Sequence, residues 1–185
     1  MNPPPIRAVY DCNVLLQAVL SGDGPAFRCL SLVEENRVAL LVSEPILAEA
    51  RDVLLRPKIL RKNPHVTPER VNQFLDFLVR KATFIENVSH IVPFPRDPKD
   101  EPYLDLAVGS NAQYLITRDS KHLLTFAREE TPEALTFRSR YPMFRIIDPP
   151  SFLRQMDLVR QQGRQPAQPP KTLHPQNRKD IDRER

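Results

Sequence analysis

The feature that most constrains this chain is a set of short apolar segments that alternate with segments of helical periodicity. The apolar segments are IRAVYDCNVLL at 6–16, where a strand gives way to a turn or helix at 11–13, VALLV at 38–42, YLIT at 114–117 and MFRII at 143–147. Runs that are apolar almost throughout are typical of strands covered on both faces. Strands that alternate with helices form parallel sheets. The pattern therefore predicts an α/β fold with a central parallel sheet and helices on both faces.

Helices are expected between these strands. They are predicted over 26–36, 43–55, 67–79, 100–107 and 151–156, with Ser43 and Thr67 as N-caps that are followed by Pro45 and Pro68. A hydroxyl side chain before a proline in the first turn is a common start of a helix. Residues 56–65 are predicted to form a basic connection, 84–85 and 90–92 short extended pieces, and 126–142 a long link before the last strand.

Length and composition indicate one globular domain, predicted at 1–156, and a basic, Pro/Gln-rich flexible tail at 157–185. The 185 residues are 41% hydrophobic and 27% charged, as in ordinary globular proteins. The net charge is +4, of which the tail supplies +3. Because the remaining chain is nearly neutral, the basic balance alone does not indicate nucleic-acid binding.

The two cysteines and the chain ends exclude several classes of protein. Cys12 and Cys29 form no C-x-x-C pair, so we expect two buried thiols rather than a zinc or redox site. The first residues lack the charged and apolar regions of a signal peptide, and no apolar segment is long enough to span a bilayer. We therefore expect a cytoplasmic protein without a membrane partner.

Four carboxylates fall near the predicted carboxyl edge of the sheet, where ligands bind in open parallel folds. Asp11 and Asp119 follow strands, Asp100 opens a helix, and Glu49 lies at the border of an apolar helical stripe. Singly, Asp11 could merely end its strand and Asp100 could merely cap its helix. Together, converging carboxylates would repel each other unless a cation lay between them. Oxygen ligands without His or Cys favour Mg²⁺ or Mn²⁺, and such ions suit phosphodiester hydrolysis.

Four segments in this order resemble the PIN-domain superfamily, and more closely its branch of bacterial toxin–antitoxin toxins. They are VYDCNVLL at 9–16, SEPILAEARDVLLRPK at 43–58, RDPKDEPYLDLA at 96–107 and YLITRD at 114–119. The resemblance covers about residues 6–156, and four motifs in the right order are more specific than any one of them. It implies a three-layer α/β/α fold and endoribonuclease activity that depends on Mg²⁺ or Mn²⁺.

The resemblance also implies the roles of individual residues. The catalytic acidic residues fall on Asp11, Glu49, Asp100 and Asp119, of which Asp11, Asp100 and Asp119 would hold the metal. Asn13 matches the residue that orients the first Asp, Thr117 a hydroxyl residue two before the last Asp, and Asp105 a secondary acidic position. Asp105 lies five residues after Asp100, so it is rotated well round the helix from that residue.

Several residues near these motifs have two interpretations. A basic run could follow an RNA backbone or be a solvated loop: Arg56, Lys58, Arg61 and Lys62. Arg118 could contact the scissile phosphate or only neutralise Asp97 or Asp119. His122 follows Asp119 closely and could touch substrate, but the interpretation as a surface histidine is favoured. Asp97 is interpreted as a turn residue before Pro98.

Three functions remain open from the sequence. The first is a metal-dependent endoribonuclease, the toxin component of a toxin–antitoxin module, in which water attacks phosphorus in line and leaves a 5′-phosphate and a 3′-hydroxyl. RNA would be its substrate, and the resemblance suggests an antitoxin that fills the acidic groove and a homodimer. The alternative is a non-catalytic RNA- or protein-binding module on the same fold. The third is a phosphatase that uses Asp11 as its nucleophile, although Asn13 replaces the second Asp that such enzymes usually need.

Overall fold

The computed structural model describes residues 4–162 and contains a five-stranded sheet in which all strands are parallel. The strands are β1 (Ile6–Tyr10), β2 (Val38–Val42), β3 (Thr83–Phe84), β4 (Tyr114–Ile116) and β5 (Arg145–Ile147), in the spatial order β3-β2-β1-β4-β5. The predicted α/β/α fold class with a central parallel sheet is confirmed.

Helices connect the strands and cover the sheet. Their bounds are α1 (Cys12–Ser21), α2 (Gly24–Glu34), α3 (Glu44–Leu54), α4 (Pro57–Lys62), α5 (Pro68–Lys81), α6 (Glu101–Gly109), α7 (Leu123–Arg128), α8 (Pro132–Arg140) and α9 (Pro149–Gln162). A short 3₁₀ helix, Pro98–Asp100, leads into α6. Thr67 caps α5 as predicted, because its side chain accepts a hydrogen bond from the backbone N–H of Arg70.

The centre of the sheet is apolar. Its middle strand, β1, lies between β2 and β4. Ala8, Val9 and Tyr10 are at most 1% exposed, and Tyr10 pairs with Ile116 across the β1–β4 ladder. The next backbone N–H, that of Asp11, still donates to the carbonyl of Ile116 at 2.9 Å. The ladder therefore holds the end of β1 against the end of β4.

The strand order places a topological switch point at this position. The chain runs outward from β1 through β2 to β3, and it then crosses back over the sheet to β4 on the other side of β1. Where the connections from two neighbouring strands run in opposite directions, a crevice opens at the carboxyl ends of those strands. Ligands bind in this crevice in open parallel sheets. The residues that follow β1 and β4 therefore line this crevice.

Several predicted segments differ from the observed ones. The run at 6–16 is strand only to Tyr10, because Asp11 caps α1 and turns the chain into a helix. The basic connection at 56–65 contains helix α4 with Pro57 in its first turn. The long link at 126–142 contains the end of α7 and the whole of α8, at whose start the side chain of Thr131 accepts a hydrogen bond from the N–H of Ala134.

The last helix is longer than predicted, because α9 continues from Met156 to Gln162. Much of the predicted tail at 157–185 lies outside the described residues. Within residues 4–162, no helix is both long and apolar enough to cross a membrane. Cys12 and Cys29 are buried free thiols, as predicted.

Candidate active site

Asp11 lies at the switch point, directly after β1, and its side chain is only 4% exposed. Its Oδ1 accepts a hydrogen bond from the backbone N–H of Asn13 at 3.3 Å. Its Oδ2 accepts one from the Asn13 side-chain amide at 3.4 Å and one from Thr117 Oγ1 at 2.5 Å. Burial raises the pKa of Asp11, with a contribution from Glu49, although these hydrogen bonds oppose the rise. Asn13 and Thr117 thus orient this carboxylate.

Asp119 follows β4 and is held by backbone N–H groups. Its own N–H donates to Thr117 Oγ1 at 2.9 Å, and its Oδ1 accepts from the N–H groups of Lys121 at 2.8 Å and His122 at 3.1 Å. Burial would raise the pKa of Asp119, but the backbone hydrogen bonds outweigh burial and leave the pKa below its usual value. Asp119 is therefore an ionised carboxylate at neutral pH.

Asp100 is the carboxylate whose environment is least satisfied. It is 9% exposed, and its Oδ2 is buried without a hydrogen-bond partner among the described residues. Burial and then the charges of neighbouring carboxylates raise its pKa from 3.8 to about 7. These neighbours are Asp11, Asp119, Asp97 and Glu49. The four predicted catalytic carboxylates therefore share one electrostatic environment.

Glu49 reaches the site from α3 through a residue that the sequence analysis missed. The hydroxyl of Tyr103 donates to Glu49 Oε2 at 2.8 Å and accepts from the backbone N–H of Cys12 at 3.3 Å. Tyr103 is 2% exposed. Its spacing of three residues from Asp100 places both on one face of a helix and could have revealed it.

His122, for which the sequence favoured a surface position, is only partly exposed and lies between two carboxylates. Its Nδ1 lies 3.2 Å from Asp97 Oδ2 and 3.3 Å from Asp119 Oδ2, and its side chain is 23% exposed. Asp97 does begin a turn, since its Oδ1 accepts from the N–H of Lys99 at 3.1 Å. Its second oxygen extends the carboxylate cluster, and Asp97, Asp100 and His122 each place a potential metal ligand within 4.8 Å of the others.

Asp105 occupies a different position from the other carboxylates. Its Oδ1 accepts from the N–H groups of Ile91 and Val92, each at 2.7 Å, and its Oδ2 lies 2.9 Å from Nδ1 of His90. Residues 90–92, predicted to be extended, are thus anchored by a side chain rather than by a strand partner. Asp105 fixes the segment that leads to Asp97 and Asp100.

The basic residues predicted to contact RNA are exposed. They are Arg118 after β4, Arg56 at the N-cap of α4, and Lys58, Arg61 and Lys62 on α4. Arg56 pairs with Asp52 at 2.7 Å. Arg118 lines a cavity of about 430 Å³ together with Gln17 and Ser21.

A family model described as the PIN domain matches residues 7–121, which include every carboxylate of this site. The chain belongs to the PIN domain family. PIN domains are generally nucleases, which typically use divalent metals. The sequence has no match among curated proteins.

One solved structure resembles this PIN domain only distantly. It is VapBC2 from Rickettsia felis bound to a DNA fragment from their promoter, with a TM-score of 0.47 and 14% identity over 77% of this chain and 98% of that chain. A likeness of this degree supports no inference about function.

The residues of this PIN domain fit a divalent cation. A buried carboxylate oxygen without a hydrogen-bond donor is costly, and a cation beside Asp100 would satisfy it. Asp11, Glu49 and Asp119, whose charges act on Asp100, supply the hard oxygen ligands that Mg²⁺ and Mn²⁺ prefer.

Proposed function

We propose that this PIN domain is an endoribonuclease that depends on Mg²⁺ or Mn²⁺. The observation that carries the proposal is the unpartnered, buried Oδ2 of Asp100, a residue whose pKa is raised by burial and then by the carboxylates around it. Such an arrangement opposes its own ionisation and is stabilised by a bound cation. Phosphodiester hydrolysis is the reaction that best uses a cation held in this way.

Asp11, Asp100 and Asp119 would hold the ion, and Glu49 would contribute directly or through water. When bound, the ion supplies a Lewis acid that activates water and offsets the charge developing on the phosphate. In-line attack of water on phosphorus breaks the P–O3′ bond and leaves a 5′-phosphate and a 3′-hydroxyl.

The protein's own contribution is to hold these carboxylates in place before substrate arrives. Thr117 and Asn13 orient Asp11, and Tyr103 orients Glu49. Hydrogen bonds restrict the carboxylates of Asp11, Glu49 and Asp119, so little reorganisation of these three remains for the reaction step. The low pKa of Asp119 keeps one ligand ionised even when the site holds no ion.

Two basic regions are suited to bind the RNA backbone. Helix α4 presents Lys58, Arg61 and Lys62 to solvent. The pKa of Arg56 is raised mainly by its hydrogen bond to Asp52, with a small contribution from Glu49 of the site. Arg118 lies between Thr117 and Asp119 and is exposed at the rim of the crevice. Contacts from these side chains to phosphates would increase the affinity for RNA without sequence preference. This part of the affinity would fall as the salt concentration rises.

The toxin role rests on the sequence resemblance. We infer a toxin that acts on RNA in the cytoplasm, an antitoxin protein that fills the acidic groove, and a homodimer of PIN domains. An antitoxin that binds this groove would need cationic side chains, because several carboxylates would otherwise be buried without a counter-charge.

The two other functions have less support from the site. A module that only binds RNA or protein does not need a buried carboxyl group such as Asp100, whose pKa burial and then the neighbouring carboxylates raise to about 7. A phosphatase nucleophile must be accessible, whereas Asp11 is 4% exposed and both of its oxygens accept hydrogen bonds.

The test is cleavage of a pool of structured and single-stranded RNA with Mg²⁺, Mn²⁺ or EDTA, using the wild type and Asp11→Asn. Asp76→Asn, which removes one carboxylate from an exposed position of α5, is the matched control. We expect cleavage with metal, none with EDTA, none in Asp11→Asn, and full activity in Asp76→Asn. Full activity in a clean Asp11→Asn preparation, or no cleavage by folded wild type with either metal, would reject the proposal.

A further inference from the structure

We propose that Asp97, Asp100 and His122 form a mixed nitrogen–oxygen metal site at the rim of the carboxylate cluster, and that this site selects Mn²⁺ over Mg²⁺. The inference deepens the proposed function, since it names the ion that the same crevice prefers. It assigns ligand roles to His122 and Asp97, neither of which belongs to the four carboxylates of the sequence motifs.

The first observation is that backbone contacts hold the three side chains together. One potential ligand atom from each lies within 4.8 Å of the others. His122 is fixed at the start of α7 by its N–H, which donates to Asp119 Oδ1 at 3.1 Å. Asp97 uses its Oδ1 for the N–H of Lys99, so its Oδ2 is left for the ring of His122 at 3.2 Å. The positions of His122 and Asp97 are therefore restricted by hydrogen bonds with nearby residues, and the distance between them does not result from free rotation of exposed side chains.

The second observation is independent and points to a cation. The side chain of Asp100 is 9% exposed, and its Oδ2 has no hydrogen-bond partner within residues 4–162. Native proteins rarely leave a buried carboxylate oxygen without a donor, and such exceptions are often explained by an ion or water. The ring of His122 does not satisfy this atom: its Nδ1 lies beside Asp97 and Asp119, and no hydrogen bond from the ring reaches Asp100 Oδ2.

The nitrogen ligand determines the choice of metal. Mg²⁺ is bound mainly by oxygen and gives up its water reluctantly, so an imidazole adds little to its affinity. Imidazole is a ligand of first-row transition metals rather than of Mg²⁺, and Mn²⁺ is the first-row ion that shares the preference of Mg²⁺ for carboxylates. A site of two carboxylates and one histidine therefore favours Mn²⁺ over Mg²⁺.

A different role for His122 is also physically reasonable. Its imidazolium could form an ion pair with Asp97 and Asp119 that merely reduces repulsion between the carboxylates. In that role, replacement of His122 would change the affinity for Mg²⁺ and for Mn²⁺ by the same factor. The ratio of the two affinities is consequently the discriminating measurement.

The experiment titrates RNA-free protein with Mn²⁺, followed by electron paramagnetic resonance, and then displaces Mn²⁺ with Mg²⁺. The variant is His122→Gln, which keeps a hydrogen-bond donor for Asp97 but removes the imidazole. We expect Mn²⁺ affinity to fall on the order of 10–100-fold or more, since even partners beyond the ligand shell have effects of that size. Mg²⁺ affinity should change less than threefold. An unchanged Mn²⁺:Mg²⁺ ratio would overturn the inference.

His90 offers a matched control, because it too lies beside two carboxylates, with Nδ1 2.9 Å from Asp105 and Nε2 4.0 Å from Glu101. His90→Gln should leave both metal affinities unchanged. A second measurement needs no substitution: in ¹⁵N-histidine spectra of the wild type, Mn²⁺ should broaden the His122 ring signals before those of the other three histidines. Equal broadening of all four would contradict the site.

These results separate the two proposals, because neither measurement uses RNA. Selective Mn²⁺ binding through His122 by a protein that cleaves no RNA would leave the metal site standing and reject the nuclease. Metal-dependent cleavage with a Mn²⁺:Mg²⁺ ratio unaffected by His122→Gln would leave the nuclease standing and reject the metal site.

Discussion

Thr117 donates a hydrogen bond of 2.5 Å to Oδ2 of Asp11, and the two residues lie 106 positions apart in the chain. Thr117 is fully buried and also accepts from the N–H of Asp119. One hydroxyl therefore connects the residues that follow β1 and β4 and sets the relative positions of two carboxylates.

Replacement of Thr117 by Val keeps the shape of the side chain but removes this hydroxyl. The N–H of Asp119 would lose its acceptor and Asp11 would lose a donor, at a cost of about 1–3 kcal/mol in the free energy of unfolding. We also expect kcat to fall about tenfold or more, because a misplaced ligand weakens transition-state stabilisation.

Urea unfolding and RNA cleavage rates check this prediction. Thr125→Val is the control, since its hydroxyl donates to the carbonyl of Ser120 in an exposed position of α7. Wild-type cleavage by a stable Thr117→Val variant would show that the hydroxyl does not position the site.

Tyr103→Phe should reduce activity through Glu49. The variant leaves Glu49 Oε2 without its donor and the N–H of Cys12 without its acceptor. We expect a loss of kcat with little change in KM, and a stability loss of about 1–3 kcal/mol. Tyr114→Phe, which removes a hydroxyl from a ring packed against Phe152, is the matched control. If both variants cleave RNA equally well, the contact between Tyr103 and Glu49 is not functional.

Metal-free protein should lose stability as the pH rises from about 4 to about 7. The pKa of Asp100 is raised from 3.8 to about 7, so the folded state holds its proton more tightly than the unfolded state. The resulting loss in the free energy of unfolding is absent below the pKa of Asp100 in the unfolded state and complete above its pKa in the folded state. Its upper bound is about 4 kcal/mol.

Unfolding of wild type and Asp100→Asn between pH 4 and pH 8 in EDTA checks this effect. Asp100→Asn should lack this component of the pH dependence, so its stability relative to wild type should rise across the window. Added Mn²⁺ should stabilise the wild type at pH 8 and have a much smaller effect on the variant. Parallel pH profiles for the two proteins would contradict the raised pKa.

Asp105→Asn should destabilise the fold without weakening metal binding. Asp105 accepts two hydrogen bonds of 2.7 Å from the backbone of residues 91 and 92, and a neutral amide would weaken both. We expect a loss of about 2–3 kcal/mol in the free energy of unfolding, because hydrogen bonds to charged groups are stronger. Denaturant unfolding and Mn²⁺ titration check it, and a metal affinity that falls tenfold in a folded variant would make Asp105 part of the metal site.

The fold was largely predictable because the signals that specify it are local. Continuous apolar runs predicted the strands, VALLV at 38–42 matches β2 to the residue, and the Thr67 cap was read correctly. The boundary of β1 was less clear, since the run remains apolar past Asp11 and only the cap shows where the strand ends.

The contacts within the site were harder to predict because they join residues far apart in the chain. The sequence named Asp11 and Thr117, but the hydrogen bond between them depends on the β1–β4 register. His122 was misread because its approach to Asp97 depends on the turn that starts α7. Tyr103 was overlooked as a core aromatic, although its hydroxyl is the partner of Glu49.

The most direct test of the central claim is the chemistry of the cut ends. One RNA would be incubated with the wild type in Mg²⁺ or Mn²⁺ and, separately, with Asp11→Asn. Mass spectrometry would then identify the new termini. A metal-activated water at these carboxylates predicts 5′-phosphate and 3′-hydroxyl ends from the wild type and no cleavage by the variant. Cyclic phosphate ends, or the same products in EDTA, would show that this carboxylate site does not perform the reaction.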